Sequence, residues 1–139
     1  MEVAESKHVG QDTRAPKRWM LWTGWVLSAL PILMMLFSSA MKFSNRSDVV
    51  GMFVGKFGYP ESTLFTIGVV ELACAVLFAI PRTAVLGAVL VTGYLGGAIA
   101  THVRVGDAFV PPLALAVMAW VGLYLRDERV RELLPLRKA

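Results

Sequence analysis

The chain has 139 residues, enough for one domain, and 56% of them are hydrophobic while 17% are charged. Its mean hydropathy is +0.60, and an ordinary soluble domain is more charged, at about 25%. Apart from Glu71, the charged residues lie at the termini or in short stretches between apolar segments. A soluble four-helix bundle would instead carry a polar stripe along each helix. This segregation predicts a membrane protein, because a charge in hydrocarbon costs about 2.5–3.5 kcal/mol.

The net charge of +4 does not indicate a nucleic-acid-binding protein. The basic residues concentrate at the two ends of the chain, where lipid headgroups and membrane orientation account for them. The single cysteine, Cys74, excludes an intrachain disulfide, a CxxC redox pair and a cysteine-rich metal site.

Residues 1–18 are polar and are predicted to form a disordered tail. Residues 19–41 carry no charge, and because about 20 apolar residues suffice to cross a bilayer, they are the first predicted span. Residues 38–40 resemble a signal-peptide cleavage site, but the apolar run is longer than the usual 7–15 residues. We therefore interpret the segment as an uncleaved helix.

Residues 42–61 form the longest loop, and they mix charged residues with large apolar ones. This composition predicts a segment lying on the membrane interface, as a short amphipathic helix. Three further spans follow at residues 62–80, 83–101 and 108–125. The two-residue connection at Pro81-Arg82 makes the second and third spans an antiparallel hairpin. Residues 127–139 form a charged C-terminal tail, and the last helix is expected to extend as far as Leu134.

The distribution of lysine and arginine predicts the orientation of the chain. These residues are concentrated in the two tails, with one more in the turn at residues 81–82. Under the positive-inside rule both termini are cytoplasmic, and the loops at 42–61 and 102–107 face outward. The predicted fold is thus an all-α, integral membrane four-helix bundle formed by residues 19–126.

Glu71 lies near the middle of the second span and is the first candidate for a functional residue, because intramembrane acids usually face a bundle interior or cavity. The alternative is a carboxyl group that only hydrogen-bonds to a neighbouring helix and holds the bundle together. Counting from the hairpin turn places Thr92 and Tyr94 at the same depth. These three residues form a candidate buried polar site.

The third span contains a stripe of small residues, Gly93, Gly96 and Gly97, whose first and last members form a GxxxG motif. Such stripes let helix backbones approach closely in lipid. They predict helix packing within the chain, with homodimerisation as the alternative.

Lys42, His102 and Arg104 are expected at the outer ends of their helices, where they form a candidate polar cluster for an anionic or quinone-like headgroup. The alternative is ordinary snorkelling to the interface. A direct ion pair between Lys42 and Glu71 is not expected unless the first helix sits deeper, because nine helical residues span about 13 Å, beyond the reach of one lysine. No metal-ligand spacing, P-loop, nucleophile elbow or dinucleotide fingerprint occurs, so no catalytic residue is assigned and the sequence favours a non-enzymatic protein.

The chain resembles the DoxX-like family of small bacterial membrane proteins over roughly residues 20–135. The resemblance rests on a first span ending LFSSAMKF, the hairpin IGVVELACAVLFAIPRTAVLGAVLVTGYLGGAIATHVR and the closing GLYLRDERVRELLP. It implies a four-helix membrane bundle, multi-pass in the bacterial inner membrane. The family's link to quinone-dependent oxidases makes quinone a cofactor by analogy only.

Three hypotheses follow for the function. The first is an accessory or small-ligand-binding membrane protein. Its expected partners are the lipid bilayer, a membrane or redox subunit, and a second copy of the chain. The second is a quinone-linked oxidoreductase subunit. The third is a small permease in which Glu71 relays protons. A cavity that reaches Glu71 from one side favours binding or redox work, whereas a polar path to both sides favours transport.

Overall fold

The computed structural model describes residues 18–134, which fold into helices without any β-strand. The predicted tail of residues 1–18 lies outside this range except for Arg18, as do residues 135–139. The helices, in chain order, are α1 (Arg18–Phe43), α2 (Ser47–Val50), a π-helical turn (Gly51–Lys56), α3 (Thr63–Ala79), α4 (Ala84–Arg104), α5 (Val110–Arg126) and α6 (Glu128–Leu133).

The four long helices form a ring in which α1 packs against α3 and α5, and α4 packs against the same two helices. Helices α1 and α4 are therefore diagonally opposite. The core of the bundle is apolar, and its most buried members are Ala75, Phe78, Ala88, Val91 and Leu123. The first and last residues of each long helix agree with those of a predicted span to within three residues.

Glycines set how closely the helices approach one another. A Cβ on Gly87 of α4 would overlap the backbone nitrogen of Phe78, so the α3–α4 hairpin closes backbone to backbone. A Cβ on Gly122 of α5 would lie 2.6 Å from Oγ of Ser28 on α1, and Gly24 makes a similar approach from α1 to α5. These contacts are possible only without side chains.

Residues 51–59, which we name the cap segment, cover the end of the bundle where Lys42 and His102 lie. Phe57 is buried there, and its ring packs against Phe53 and His102. The segment begins with the π-helical turn and ends in the Gly58-Tyr59-Pro60 turn, where Gly58 has a φ of +69°. Phe53 and Phe57 of this loop thus lie against the bundle, whereas Met52 and Val54 are exposed.

Helix α5, the fourth predicted span, does not continue to Leu134, which corrects the sequence-based expectation. It ends at Arg126, because Asp127 adopts an extended conformation. Oδ1 of Asp127 accepts a hydrogen bond of 3.0 Å from the backbone nitrogen of Arg129 and thereby caps α6. The charged tail consequently begins as a separate short helix.

Two helices, α1 and α4, are long and apolar enough to cross a membrane. Helices α3 and α5 are also apolar but have 17 residues each. That length is about 25 Å, at the lower end of what spans a bilayer. Large apolar side chains on the outer surface of all four helices, such as Trp22, Phe65, Leu86 and Val110, are exposed.

Candidate functional site

Lys42 and Glu71 form a buried ion pair between α1 and α3. Nζ of Lys42 donates to Oε2 of Glu71 at 2.7 Å and to Oγ of Ser38 at 2.6 Å. The two charged residues are only 6% and 3% exposed. The expectation that Lys42 lies too far from Glu71 is therefore wrong.

The approach of Lys42 to Glu71 has a simple geometric cause. Helix α1 continues to Phe43, and Lys42 lies level with Gly68, where an added Cβ would be 3.3 Å from Cβ of Lys42. Gly68 precedes Glu71 by three residues, which is about 4.5 Å along the helix axis. The depth count placed the ends of α1 and α3 at the same height, and the pair forms because α1 lies deeper, which is the one case in which the sequence allowed it.

The ion pair uses only Oε2 of the Glu71 carboxylate, which leaves the second oxygen, Oε1, to the cavity and to the Tyr94 side chain. Tyr94 lies beside the carboxylate and lines the same cavity, as the sequence placed it. Thr92 does not join them, which is a correction. Its hydroxyl accepts from Nε1 of Trp120 at 2.7 Å and donates to the carbonyl of Ala88. Two residues of an α-helix at similar depth can face opposite directions, and Thr92 faces α5.

A cavity of about 560 Å³ opens beside the ion pair. Its wall is mostly apolar and comes from all four long helices and the cap segment. The residues that line it are Met34, Met35, Ser38, Lys42, Met52, Phe53, Phe57, Tyr59, Ile67, Glu71, Gly93, Tyr94, Leu95, Gly97, Ala98, Thr101, His102, Pro111, Pro112 and Leu115. This volume is within the range of small-molecule sites.

The cap segment closes one end of the cavity through polar contacts with α4. The Thr101 hydroxyl donates to the carbonyl of Gly97 at 2.9 Å, so it accepts from the Tyr59 hydroxyl at 2.8 Å. The guanidinium of Arg104 donates to the carbonyl of Phe57 and lies over the Tyr59 ring.

The predicted polar cluster of Lys42, His102 and Arg104 is divided in the structure. Lys42 is buried with Glu71, whereas Arg104 is exposed and holds the cap segment. His102 lines the cavity, and its Nδ1 donates to the carbonyl of Ala98 at 2.8 Å. The three residues thus do not surround one headgroup.

The opposite end of the cavity is filled by the apolar core. Below Glu71 lie Ala75, Phe78, Ala88 and Val91, each at most 1% exposed. No polar side chain among these core residues continues the path from Glu71. The cavity therefore extends from Glu71 toward the cap segment and not toward the opposite end of the bundle.

The glycine stripe on α4 does not pack against another helix, contrary to the prediction of packing within the chain. A Cβ added to Gly93, Gly96 or Gly97 would meet nothing within 4 Å in the described residues. The glycines that do bring helices together are Gly24, Gly68, Gly87 and Gly122. Gly93 and Gly97 instead line the cavity, and Gly96 does not.

Outside the helical bundle, Asp107 anchors the cap segment from the α4–α5 loop. Nζ of Lys56 donates to Oδ2 of Asp107 at 2.7 Å. This hydrogen bond and the lysine's charge hold the pKa of the Asp107 carboxyl below its ordinary value. The pair lies at the surface, where salt screens such interactions.

Sequence reasoning missed the contribution of α1 to the site. Pro31, Met35, Ser39 and Lys42 are all buried, and their spacing of three or four residues puts them on one face of the helix. This periodicity is present in the sequence and indicates that Lys42 points into the bundle. Phe53 and Phe57 had no such signal, because a loop segment lacks a fixed period.

The donor set of the site favours an organic ligand. Within residues 18–134 no group of three His, Cys, Asp or Glu side chains is placed to hold a metal ion. The cavity offers one free carboxylate oxygen and a neutralised lysine within an apolar wall. Such a site can orient a headgroup and shelter a hydrocarbon chain.

A family model described as the DoxX-like family matches residues 26–122, which include α1 from its third turn, α3, α4 and most of α5. Comparison with curated proteins and with solved structures gave no significant match.

Proposed function

The chain belongs to the DoxX-like family, and from this premise we propose that it is a four-span protein of the bacterial inner membrane that binds a small amphipathic molecule beside Glu71. In this proposal α1, α3, α4 and α5 all cross the bilayer, with both termini in the cytoplasm. The exposed apolar surface of all four helices supports this arrangement. The distribution of lysine and arginine supports the orientation.

The observation that carries the proposal is Oε1 of Glu71, which the ion pair does not use and which lies at the wall of an apolar cavity. A hydrogen bond to a charged acceptor contributes about 1.5–3 kcal/mol net. A ligand in the cavity that donates to Oε1 gains this contribution. The rest of the wall favours hydrocarbon, because Met35, Phe53, Ile67 and Leu115 present apolar side chains to it.

The charges of the site favour a neutral headgroup. The Glu71 carboxylate is already neutralised by Lys42, whose ammonium also donates to Ser38 and lies 5.3 Å from the centre of the Phe53 ring. The ammonium already donates to Glu71 and Ser38, so it has little capacity to bind an anionic ligand, and its charge would repel a cationic one. A hydroxyl group satisfies Oε1 without adding charge to a low-dielectric site.

The filled core below Glu71 favours binding over a permease, since a proton path would need polar groups on both sides of the acid. A quinol is one neutral, hydroxyl-bearing molecule with a hydrocarbon chain. A quinone-linked subunit is therefore the second candidate, and it is supported by the same cavity.

Photo-crosslinking in liposomes tests the proposal. The probe is a long-chain alcohol with a diazirine on its chain, and the matched ligand is its methyl ether, which cannot donate a hydrogen bond. We expect the alcohol to label cavity residues and to bind about tenfold more tightly than the ether, which corresponds to about 1.4 kcal/mol. Labelled peptides are identified by mass spectrometry.

Two variants of α5 serve as the matched pair in this experiment. Leu115→Trp places a larger side chain in the cavity, whereas Leu113→Trp adds the same group to the outer surface, where Leu113 is exposed. Labelling should disappear in the first and persist in the second. Equal labelling by alcohol and ether, or no effect of Leu115→Trp, contradicts the proposal. Reduction of a bound quinone analogue by a partner enzyme would favour the second candidate.

A further inference from the structure

We infer that Gly93 and Gly97 form a lateral portal through which the ligand passes between the bilayer and the cavity. This inference rests on the proposed function and adds to it the route of the ligand and its source, which is the lipid phase. The two glycines lie one helical turn apart on α4, line the cavity and are also exposed on the surface of the bundle.

The first argument is that the two ends of the cavity are obstructed. At one end the cap segment is held by the Tyr59–Thr101 hydrogen bond, the Lys56–Asp107 ion pair and the bond from Arg104 to the carbonyl of Phe57. At the other end the core below Glu71 is closely packed. A ligand that enters along the bundle axis would have to displace one of these groups.

The second argument is that the wall has no side chains where the glycines lie. A Cβ on Gly93 or on Gly97 would meet nothing within 4 Å, so this stretch of wall is the backbone of α4 alone. The other exposed lining residues carry larger groups, which are the long side chains of Met34 and Met52 and the ring of Pro111. A hydrocarbon chain meets the least obstruction at the glycines.

The third argument connects the glycines to the buried acid. Glu71 is 3% exposed, and its ion pair with Lys42 uses only Oε2. Tyr94, next to Gly93, lines the cavity with it. A molecule that enters beside these residues can therefore place its hydroxyl at Oε1 while its chain still extends toward the lipid.

The portal predicts that exchange of the ligand slows in both directions. A side chain at the portal raises the barrier for both entering and leaving, whereas a side chain that only contacts the bound ligand changes its affinity. We expect Gly93→Leu and Gly97→Leu to slow both the uptake of the diazirine alcohol, followed by time-resolved labelling, and its release about tenfold. The thermal unfolding midpoint should stay as in the parent protein.

Gly96→Leu is the matched control for these two variants. Gly96 lies on the same helix, is exposed and has the same open surroundings, but it does not line the cavity. Its labelling rate should equal that of the parent protein. An equal rate in all three variants overturns the portal.

A second measurement serves if a leucine variant does not fold. Gly97→Cys, made in a Cys74→Ala background, is folded first and then modified with maleimides of increasing size. The labelling rate should fall as the maleimide grows, and a rate independent of its size overturns the portal. The cavity itself is tested separately. If Leu115→Trp abolishes labelling but the maleimide on Gly97→Cys does not slow it, the portal is overturned and the proposed function stays in place. Absence of any labelling in the parent protein contradicts the proposed function itself.

Discussion

Lys42 and Glu71 are 29 residues apart in the sequence, yet the ammonium of one lies 2.7 Å from the carboxylate of the other inside the bundle. Gly68 makes this possible, because it lets α1 approach α3 one turn from the acid. The pair neutralises both charges in the interior of the bundle, and it uses only one of the two carboxylate oxygens. In the proposed function, this geometry favours a neutral hydrogen-bond donor.

Breaking this ion pair should destabilise the protein more than removing it entirely. We expect Lys42→Met and Glu71→Met each to cost about 3–5 kcal/mol, because each leaves one buried charge unpaired. The double variant should regain most of that loss. The free energy of unfolding in detergent micelles, measured for all four proteins, gives the coupling energy. Strictly additive losses would show that the two residues do not interact.

The glycines of the helix contacts should tolerate alanine very differently from Gly96 on the open face of α4. Gly87→Ala and Gly122→Ala bring a Cβ to within 2.6 Å of atoms in α3 and α1, respectively. Overpacking of this kind costs about 1–3 kcal/mol.

Gly96→Ala is the control for these substitutions, since its Cβ points into open space. It should be neutral or slightly stabilising, because alanine favours helix over glycine by about 1 kcal/mol. Unfolding midpoints measured in the same detergent decide between the two groups. A destabilised Gly96→Ala would indicate that this face packs against a second copy of the chain.

The cap segment should loosen in acid. The pKa of Asp107 is lowered by the hydrogen bond from Lys56, so this contact contributes above the carboxyl's ordinary pKa, about 3.9, and is lost as the pH falls through its lower value in the folded protein. Hydrogen exchange in the cap segment, corrected for intrinsic rates, should be faster at pH 3 than at pH 7. In Asp107→Asn the corrected rates should be high at both pH values. An unchanged pH dependence in that variant would assign the effect to another group.

The proposed orientation makes a simple prediction for fusion proteins. A reporter that is active only in the cytoplasm, fused after Ala139, should be active, because the basic residues near the C-terminus favour the cytoplasmic side. A reporter inserted after Asn45, in the loop that precedes α2, should require export for its activity. The opposite pattern would reverse the orientation and place the cap segment in the cytoplasm.

The sequence by itself determined that the chain is an all-helical membrane protein and where its four long helices lie. Charge segregation and the length of apolar runs are local properties, and hydrocarbon penalises every charge in the same way. The sequence also identified Glu71 and Tyr94, because a lone acid in an apolar segment stands out and the hairpin turn fixes the depth of its neighbours.

Only the tertiary structure decided which side chains meet. Depth along the membrane does not fix the direction in which a residue faces. Thr92 therefore hydrogen-bonds to Trp120, and Glu71 pairs with Lys42. The small-residue stripe has the same sequence pattern whether a helix packs against it or a cavity opens beside it. The packing of Gly87 and Gly122, and the open space at Gly93 and Gly97, depend on the relative positions of neighbouring helices, which no single segment encodes.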